Sequence, residues 1–127
     1  MQPTALLYNI PEDGRGEMIR SYLRAAGVIV TDVPQTDDTK RLGALAKIPG
    51  FEEEEAVIGW RTFTDEMLVM CAFTRELMDG FLAYFHEQKI APVALKAMLT
   101  PTNMNWTSTE LHTALSEEHQ MMKGAGR

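Results

Sequence analysis

Short runs of apolar residues alternate along this chain with stretches in which apolar residues recur every three or four positions. Short runs bounded by turn residues are typical of buried strands, and the longer spacing is typical of helices that bury one face. The pattern predicts four strands and four helices in strict alternation. The predicted strands span residues 4–9, 28–33, 67–73 and 92–100, and the predicted helices span residues 17–26, 39–47, 74–89 and 107–123.

Local signals mark the ends of two helices. Gly27 is a natural C-cap for the first helix, because glycine adopts left-handed backbone dihedrals without steric cost. Thr107 and Glu110 form a capping box, in which each side chain binds the other residue's free backbone N–H. Trp106 and Leu111 occupy the two positions of a hydrophobic staple around the same cap. Two independent patterns therefore predict the start of the last helix.

Strict alternation of strands and helices is typical of an α/β domain with a mostly parallel sheet. Right-handed crossovers and short connections favour the strand order 2-1-3-4. We expect helices on both faces of this four-stranded sheet, with the first helix on one face and the second and third on the other. All four strands would then point the same way, so that their carboxyl ends share one edge. Residues 1–124 form a single three-layer domain in this interpretation, and residues 125–127 form a flexible C-terminal tail.

The segment 51–65 fits neither pattern. Its four consecutive glutamates, Glu52 to Glu55, repel one another and need solvent, whereas the apolar side chains that follow cannot all be exposed. We expect an irregular excursion that packs Trp60 or Phe63 against the domain, with a short strand or a helical turn as the alternative. Loops of this length are rare in compact domains, so the segment either has a functional role or hides an element.

Composition and charge exclude several classes of protein. The chain has 127 residues, 45% of them apolar and 24% charged, and no apolar run approaches the ~20 residues of a membrane helix. The net charge is −6 and the basic residues are scattered, which disfavours nucleic-acid binding. We therefore expect no membrane association and no nucleic-acid partner. The N-terminal residues lack a signal-peptide pattern, which predicts a cytoplasmic location.

The metal-binding side chains are too few or too far apart for a predicted site. One cysteine excludes an internal disulfide and a cysteine-based metal knuckle. His112 and His119 are seven positions apart on one helix, about two turns, which is too far for a single ion to bridge. His86 lies on another helix. The sequence predicts no metal site, solvated histidines, and no cofactor, since no cofactor fingerprint is present.

Open α/β sheets bind ligands outside the carboxyl ends of the strands, at the point where the strand order reverses. The loop after the first predicted strand carries Asn9, Asp13 and Arg15, together with glycines that could expose backbone N–H groups to an anion. Glu12 and Asp13 would repel such an anion, and Arg15 would attract it. The alternative is a plain turn in which Asp13 caps the first helix.

The loop after the fourth predicted strand is the best candidate for a ligand site. Thr100, Asn103 and Asn105 supply uncharged donors and acceptors, and Trp106 stands beside them. The alternative is that the asparagines bind their own turn while Trp106 only staples the last helix. Lys96, a charge within an apolar strand, either binds an anionic ligand or protects an edge strand from pairing with another sheet.

Two further hypotheses concern catalysis and self-association. Cys71 ends a central strand before a helix, which is where several α/β folds present a nucleophile, but no spacing of His or Asp provides its base. Cys71 is therefore the candidate catalytic residue, with a carboxylate such as Asp13 as the alternative. A homodimer could form on the exposed edge of the fourth strand or on Trp60 and Phe63.

Three segments resemble a small bacterial family known only as a domain of unknown function. They are residues 65–70 (DEMLVM), 95–100 (LKAMLT) and 101–107 (PTNMNWT), within roughly the C-terminal half of the chain. The resemblance implies an apolar strand, a helix, a second strand and a turn containing asparagine and tryptophan. It brings no activity, cofactor or catalytic residue. It makes Lys96, Thr100, Asn103 and Trp106 the first residues to test.

The sequence thus favours a non-catalytic α/β domain that binds a small polar ligand or a protein partner, or regulates through one. No nucleophile-base pair and no cofactor pattern support the alternative of an enzyme that uses Cys71 or Asp13. A structural homodimerisation module is the other alternative. The residues expected to bind a ligand are Asn9, Asp13, Arg15, Lys96, Thr100, Asn103, Asn105 and Trp106.

Overall fold

The part of the chain that the structure describes contains four strands and four helices in the predicted alternation. The computed structural model describes residues 1–52, 54–55 and 59–125. The strands are β1 (Thr4–Tyr8), β2 (Ile29–Asp32), β3 (Met67–Cys71) and β4 (Leu95–Met98). The helices are α1 (Gly14–Ala25), α2 (Leu42–Leu45), α3 (Arg75–Glu87) and α4 (Ser108–Ala125), and a 3₁₀ turn spans Asn103–Asn105.

The strands form one mostly parallel sheet in the predicted order β2-β1-β3-β4. β1 pairs with β2, and β3 pairs with β4, in parallel ladders. The central pair, β1 and β3, is antiparallel, with Leu6 opposite Val69. The expectation that all four strands point the same way is therefore wrong. We call the edge where β1 and β2 end the Asn9 edge, and the edge where β3 and β4 end the Cys71 edge.

Within the described residues, the connection between β2 and β3 contains only a short helix. An all-parallel sheet needs a connection that returns along the length of a strand, about 16 Å for five residues. The predicted helix 39–47 has only four helical residues, Leu42–Leu45, which rise about 6 Å. β3 begins at the edge where β2 ends, and no strand-length helix in the described part of the chain connects these two strands.

α1 and α3 pack on the same face of the sheet. Each belongs to a strand-helix-strand unit, and the inner strands of the two units are antiparallel. Two crossovers of the same hand are then related by an approximate twofold axis perpendicular to the sheet, and such a rotation keeps both helices on one face. The expected placement of the third helix opposite the first is therefore wrong. α2 and α4 cover the other face.

Both central strands are buried along their whole length, as their apolar runs predicted. Alternate side chains point to opposite faces and divide the core into two halves. The α1/α3 half includes Leu7, Leu68, Ile19, Leu23, Phe81 and Phe85, and the α2/α4 half includes Leu6, Val69, Leu42, Phe63, Leu95 and Leu111. A hydrogen bond of 2.7 Å between Tyr8 Oη and Ser108 Oγ fixes the start of α4 against the end of β1.

The two strand-helix-strand units share their turn conformations. Asn9 and Ala72, which directly follow β1 and β3, both have a φ of 59°. Gly27 and Lys89, two residues after α1 and α3, have φ angles of 84° and 54°. Gly27 thus ends α1 as predicted. The repeat is one of backbone geometry, because different residue types occupy the equivalent positions.

The described residues of segment 51–65 form no helix or strand, which agrees with the expected irregular excursion. Phe63 packs in the α2/α4 half of the core, whereas Trp60 is 73% exposed. Among the glutamates expected in solvent, Glu52 and Glu55 are exposed and Glu54 is half-buried. The fourth, at position 53, lies outside the described residues.

The predicted flexible tail, residues 125–127, begins inside a helix. α4 extends through Ala125, so this residue of the expected tail is helical. The other two tail residues lie outside the part of the chain that the structure describes.

Candidate functional site

The predicted ligand-binding residues lie at opposite edges of the sheet. Asn9, Asp13 and Arg15 follow β1 at the Asn9 edge, whereas Thr100 and the Asn103–Asn105 turn follow β4 at the Cys71 edge. Because β1 and β3 are antiparallel, no shared rim brings these loops together. The single pocket expected at one carboxyl edge is therefore not formed.

At the Asn9 edge, the predicted side chains bind the chain itself. The Asn9 amide donates to the carbonyls of Phe63 and Asp65, at 3.1 and 2.9 Å. Asp13 caps α1 by accepting the N–H of Gly16 at 2.8 Å. The plain turn with an Asp13 cap, which was the alternative for this loop, is thus the conformation that forms.

Arg15 holds the loop that leads into β4. Its guanidinium donates to the carbonyls of Ala91 and Pro92 and pairs with Glu66 at 2.8 Å. These contacts direct its donors toward the protein. Ligand binding by the residues at the Asn9 edge stays a prediction.

The turn after β4 is also bonded to itself. Asn103 Oδ1 accepts the N–H of Thr100 at 2.7 Å, and Thr100 Oγ1 accepts the N–H of Asn103 at 3.1 Å. Asn105 donates to the carbonyl of Pro101 at 3.3 Å. This geometry corresponds to the alternative in which the asparagines bind their own turn, and their role toward a ligand stays a prediction.

The start of α4 has the two signals that the sequence predicted. Thr107 Oγ1 accepts the N–H of Glu110 at 3.2 Å, and the Glu110 carboxylate accepts the N–H of Thr107 at 3.1 Å. Trp106 and Leu111 both pack in the α2/α4 half of the core. The capping box and the staple therefore account for the positions of Thr107 and Trp106.

Lys96 and Cys71 are both removed from solvent to a large extent. Lys96 lies on the edge strand β4 and donates from Nζ to the carbonyl of Val93 at 2.9 Å, and burial lowers the pKa of its ammonium. Cys71 is a buried free thiol, and burial raises its pKa. An activated cysteine nucleophile needs the opposite shift, because the thiolate is the reactive form.

A buried ion pair fixes the second half of segment 51–65. Arg61 binds Asp38 through two bonds, Nε to Oδ2 at 2.8 Å and Nη2 to Oδ1 at 2.7 Å, and both side chains are almost wholly buried. The guanidinium lies 4.9 Å from the ring centroid of Tyr8 and 5.4 Å from that of Phe63. It also donates to Asn9 Oδ1 at 3.2 Å. The donors of Arg61 are therefore used inside the protein.

His112 is packed rather than solvated, which corrects the expectation for this histidine. Its ring stacks on Phe63 with centroids 3.9 Å apart. Its Nε2 lies 2.9 Å from Asp65 Oδ1 and 3.3 Å from Ser116 Oγ, and the hydrogen bond from His112 lowers the pKa of Asp65. A Ser-His-Asp relay uses both ring nitrogens, whereas here both partners contact the same nitrogen. The arrangement anchors the segment before β3.

Strand β4 has an edge that is partly capped. Leu95 and Leu99 donate their N–H groups toward β3, so the alternate residues Lys96 and Met98 point their backbone groups outward. The outward carbonyl of Met98 accepts a hydrogen bond from Asn103 Nδ2 at 3.0 Å. An additional strand cannot pair fully with this edge while that bond is in place.

Strand β2 has an open edge. Ile29 and Val33 donate their N–H groups to carbonyls of the β1 segment, so the outward backbone groups belong to Val30 and Asp32. Within residues 1–52, 54–55 and 59–125, no group bonds to these outward N–H and C=O groups. The side chain of Ile29 is 46% exposed beside them. Unpaired edge groups of this kind are a template for another strand.

An open groove of about 580 Å³ runs beside β2 on the α2 face. The strand contributes Thr31 and Val33 to its wall. The opposite wall comes from α2 and the residues that follow it, including Leu45, Ile48 and Phe51. Side chains of an added strand that point to this face would therefore meet these apolar side chains, flanked by the charged groups of Asp37, Lys40, Lys47 and Glu54.

The rim of the groove carries one cation without a charged partner. Lys40 pairs with Asp37 at 3.3 Å. Arg41 pairs with Glu54 at 3.1 Å and also donates its backbone N–H to Glu54, and this backbone bond is the main reason why the pKa of Glu54 is lowered. Lys47 is exposed and has no ion pair within the described residues.

A second cation flanks β2 on the α1 face. Arg20 of α1 binds Asp32 at 2.6 Å, which aligns this helix with the strand. Arg24 is one helical turn further, about 6 Å along the axis, and two strand residues cover about the same distance. This spacing puts Arg24 at the level of Val30, and Arg24 has no ion pair within the described part of the chain.

Trp60 is adjacent in sequence to a residue whose side chain contacts the end of β2. It directly precedes Arg61, whose guanidinium donates to the carbonyls of Val33 and Pro34, the residues that follow the strand. At 73% exposure, Trp60 is an exposed aromatic side chain on an anchored backbone. We call the open edge of β2, the groove and Trp60 the β2 surface.

Comparison with known proteins finds a family model that matches one part of this chain. Residues 66–122 match the family model described as a domain of unknown function, DUF3783. This match confirms the resemblance of the C-terminal half. No curated protein and no solved structure matches the chain.

The DUF3783 segment includes β3, α3, β4, the 3₁₀ turn and most of α4. It contains the capped edge at Met98 and the bonds of Asn103. The β2 surface lies wholly outside it, between Ile29 and Trp60. Whatever this surface does is therefore carried by residues that the family model does not cover.

Two general findings apply to the described residues. None of their helices is long and apolar enough to cross a membrane. No group of three or more His, Cys, Asp or Glu side chains among them is arranged to hold a metal ion.

The sequence indicated only part of the β2 surface. Trp60 stood out as an apolar residue in a polar segment, and the predicted strand order made β2 an edge strand. Arg61 and Asp38 gave no signal, because they are 23 positions apart and each follows the composition of its loop. The difference between the two edges depends on the Asn103 amide, whose direction no pattern reveals.

Proposed function

We propose that this domain is a non-catalytic binding module that recognises a protein partner through the β2 surface. The observation that carries the proposal is the difference between the two edges of the sheet. Within the described residues, nothing bonds to the outward backbone groups of β2, whereas the outward carbonyl of Met98 in β4 is capped. Open edges invite pairing, and many proteins block them; among the described residues, a bond of this kind is found on β4, where it caps one outward carbonyl.

The groove and Trp60 support the same proposal. Binding sites for proteins combine apolar recesses with exposed aromatic anchors, and tryptophan is enriched among the residues that dominate binding energy. Trp60 is exposed while its neighbour Arg61 is fixed by a buried ion pair. A fixed backbone lowers the entropy cost of presenting this side chain to a partner.

The internal contacts of the predicted ligand residues favour a partner over a small polar ligand. Asn9 and Asn103 use their amides on backbone groups of the chain. The raised pKa of Cys71 favours binding over thiol catalysis. A buried free thiol also suits a reducing compartment, so we include a cytoplasmic location in the proposal.

Site-specific photocrosslinking tests this function. Ile29 and Met98 are exposed apolar residues of the two edge strands, so a benzophenone amino acid at either position forms a matched pair. We expect a crosslink from position 29 to a second protein in the source cells, several-fold stronger than from position 98. Trp60→Ala should reduce it. Equal crosslinking from both positions, or none from position 29, would contradict the proposal.

A further inference from the structure

We infer that the partner supplies an extended segment that adds a fifth strand along β2, with apolar side chains toward the groove and acidic side chains toward α1. This inference rests on the proposed function and specifies how the partner binds. Strand addition uses main-chain hydrogen bonds for affinity and alternate side chains for specificity.

The backbone of β2 provides the main-chain part. Val30 and Asp32 each direct one N–H and one C=O away from β1, since the residues on either side of them bond inward. An extended segment placed alongside can bond to all of these groups. The Val30 side chain points to the α1 face and is partly buried there, so strand addition does not need it to move.

The two faces beside β2 determine the side chains of the segment. On the α2 face, the groove offers Leu45, Ile48 and Phe51, which suit apolar side chains. On the α1 face, the charge of Asp32 is paired with Arg20, and Arg24, one helical turn beyond Arg20, suits an acidic side chain. Because side chains of a strand alternate between faces, the segment alternates apolar and acidic residues. Lys47 at the groove rim adds further attraction for a negative charge.

Charge also separates this segment from a second copy of the chain. If two copies paired through β2 with the same faces up, Arg24 would approach Arg24 and Lys47 would approach Lys47. If one copy were turned over, Arg24 would approach Lys47. Both arrangements bring unpaired cations together across the new ladder, which is unfavourable. An acidic segment from another protein meets neither conflict.

Peptide display with proline variants tests the inference. A phage library of random decapeptides is selected against the whole chain, and the enriched peptides are synthesised and measured by fluorescence anisotropy. Val30→Pro removes an outward N–H and no ladder bond, and Met98→Pro makes the same change at the other edge. We expect peptides that alternate apolar and acidic residues, weakened about tenfold by Val30→Pro and unaffected by Met98→Pro.

Two further measurements keep the test decisive. If Val30→Pro lowers the melting temperature too far for binding assays, the peptides are modified instead. Each selected peptide is N-methylated at one of its two sets of alternate backbone amides. Methylation of the set that faces β2 should lower the affinity about tenfold, and methylation of the other set should not. Arg24→Glu should lower the affinity for the acidic peptides and raise the affinity for peptides in which lysine replaces the acidic residues.

Each contrary outcome has a distinct meaning. Peptides that bind Val30→Pro and Met98→Pro equally would overturn strand addition, and basic peptides would overturn the charge assignment. In both cases a crosslink from position 29 would leave the proposed function standing. Self-association that Val30→Pro abolishes, seen by sedimentation without peptide, would overturn the inference in favour of a second copy.

Discussion

Arg61 shows how the chemistry of single residues is distributed in this protein. Its guanidinium binds Asp38, Asn9 and two backbone carbonyls, so a side chain that could have bound a ligand instead fixes a loop. The same holds for Arg15 and Asn103. The residue-scale predictions therefore concern stability and reactivity rather than catalysis.

The buried pair Arg61–Asp38 should be strongly coupled. Arg61→Met leaves the Asp38 carboxylate buried without a partner, and we expect it to lower the free energy of unfolding by about 3–5 kcal/mol. The double variant Arg61→Met, Asp38→Leu removes both charges and should lose clearly less than Arg61→Met alone. Urea denaturation of the single and double variants gives both values. Additive losses would show that the pair is not coupled.

Cys71 should be a slow nucleophile. Because burial raises its pKa, the rate of alkylation by iodoacetamide in the folded chain should stay low through neutral pH and rise only above the range of an ordinary thiol. The folded state favours the neutral thiol, so the contribution of Cys71 to stability is full below the unfolded pKa and falls as pH rises beyond it. Alkylation of the urea-unfolded chain is the control. A folded thiol that reacts faster below neutrality would revive the cysteine-enzyme hypothesis.

At the scale of elements, the two strand-helix-strand units form turns of the same backbone conformation with different residue types. In each unit, the second residue after the helix has a left-handed backbone conformation. This residue is Gly27 in one unit and Lys89 in the other. Only glycine adopts this conformation without strain. The units therefore provide matched sites for measuring that strain.

Exchanging the two residue types should change stability in opposite directions. Lys89→Gly should raise the free energy of unfolding by about 0.5–1 kcal/mol, because it relieves a left-handed non-glycine residue. Gly27→Lys should lower it by about 1 kcal/mol. A Cβ at Gly27 would meet no atom within 4 Å, so the loss reports the dihedral alone. Chemical denaturation measures both, and two changes of the same sign would refute the shared geometry.

Within the turn after β4, Asn103 should contribute more to stability than Asn105. Asn103→Ala removes the bonds to Thr100 N–H and to the Met98 carbonyl and should cost about 1–3 kcal/mol. Asn105→Ala removes one exposed bond and should cost less than about 0.5 kcal/mol. The melting curves of the two variants check this order. Asn103→Ala should also increase aggregation by opening the β4 edge, and an unchanged aggregation rate would contradict the capping role.

At the scale of the whole molecule, the sequence predicted the strand order and the two covered faces, because apolar runs and helical periodicity are strong in β1, β3, α1 and α3. It failed on the direction of β3. Nothing in residues 33–66, which connect β2 to β3, indicates the edge of the sheet at which β3 begins. The reversal separated Asn9 from Asn103 and removed the pocket expected between them.

The β2 surface could be foreseen only in outline. The order 2-1-3-4 implies that β2 and β4 are the edges, and an exposed edge is visible from that order alone. The difference between the two edges depends on the bond of the Asn103 amide to Met98, and the position of Arg61 depends on its long-range ion pair with Asp38. Those contacts are set by the packed geometry rather than by local pattern.

Residue-resolved hydrogen exchange of the chain, with and without a selected decapeptide, tests the central claim most directly. In the free chain, the amides of Ile29 and Thr31 should be protected, and those of Val30 and Asp32 should exchange rapidly because they point to solvent. Saturating peptide should slow Val30 and Asp32 about tenfold or more while Lys96 and Met98 stay unchanged. Peptide binding that leaves Val30 and Asp32 as fast as before would contradict the account.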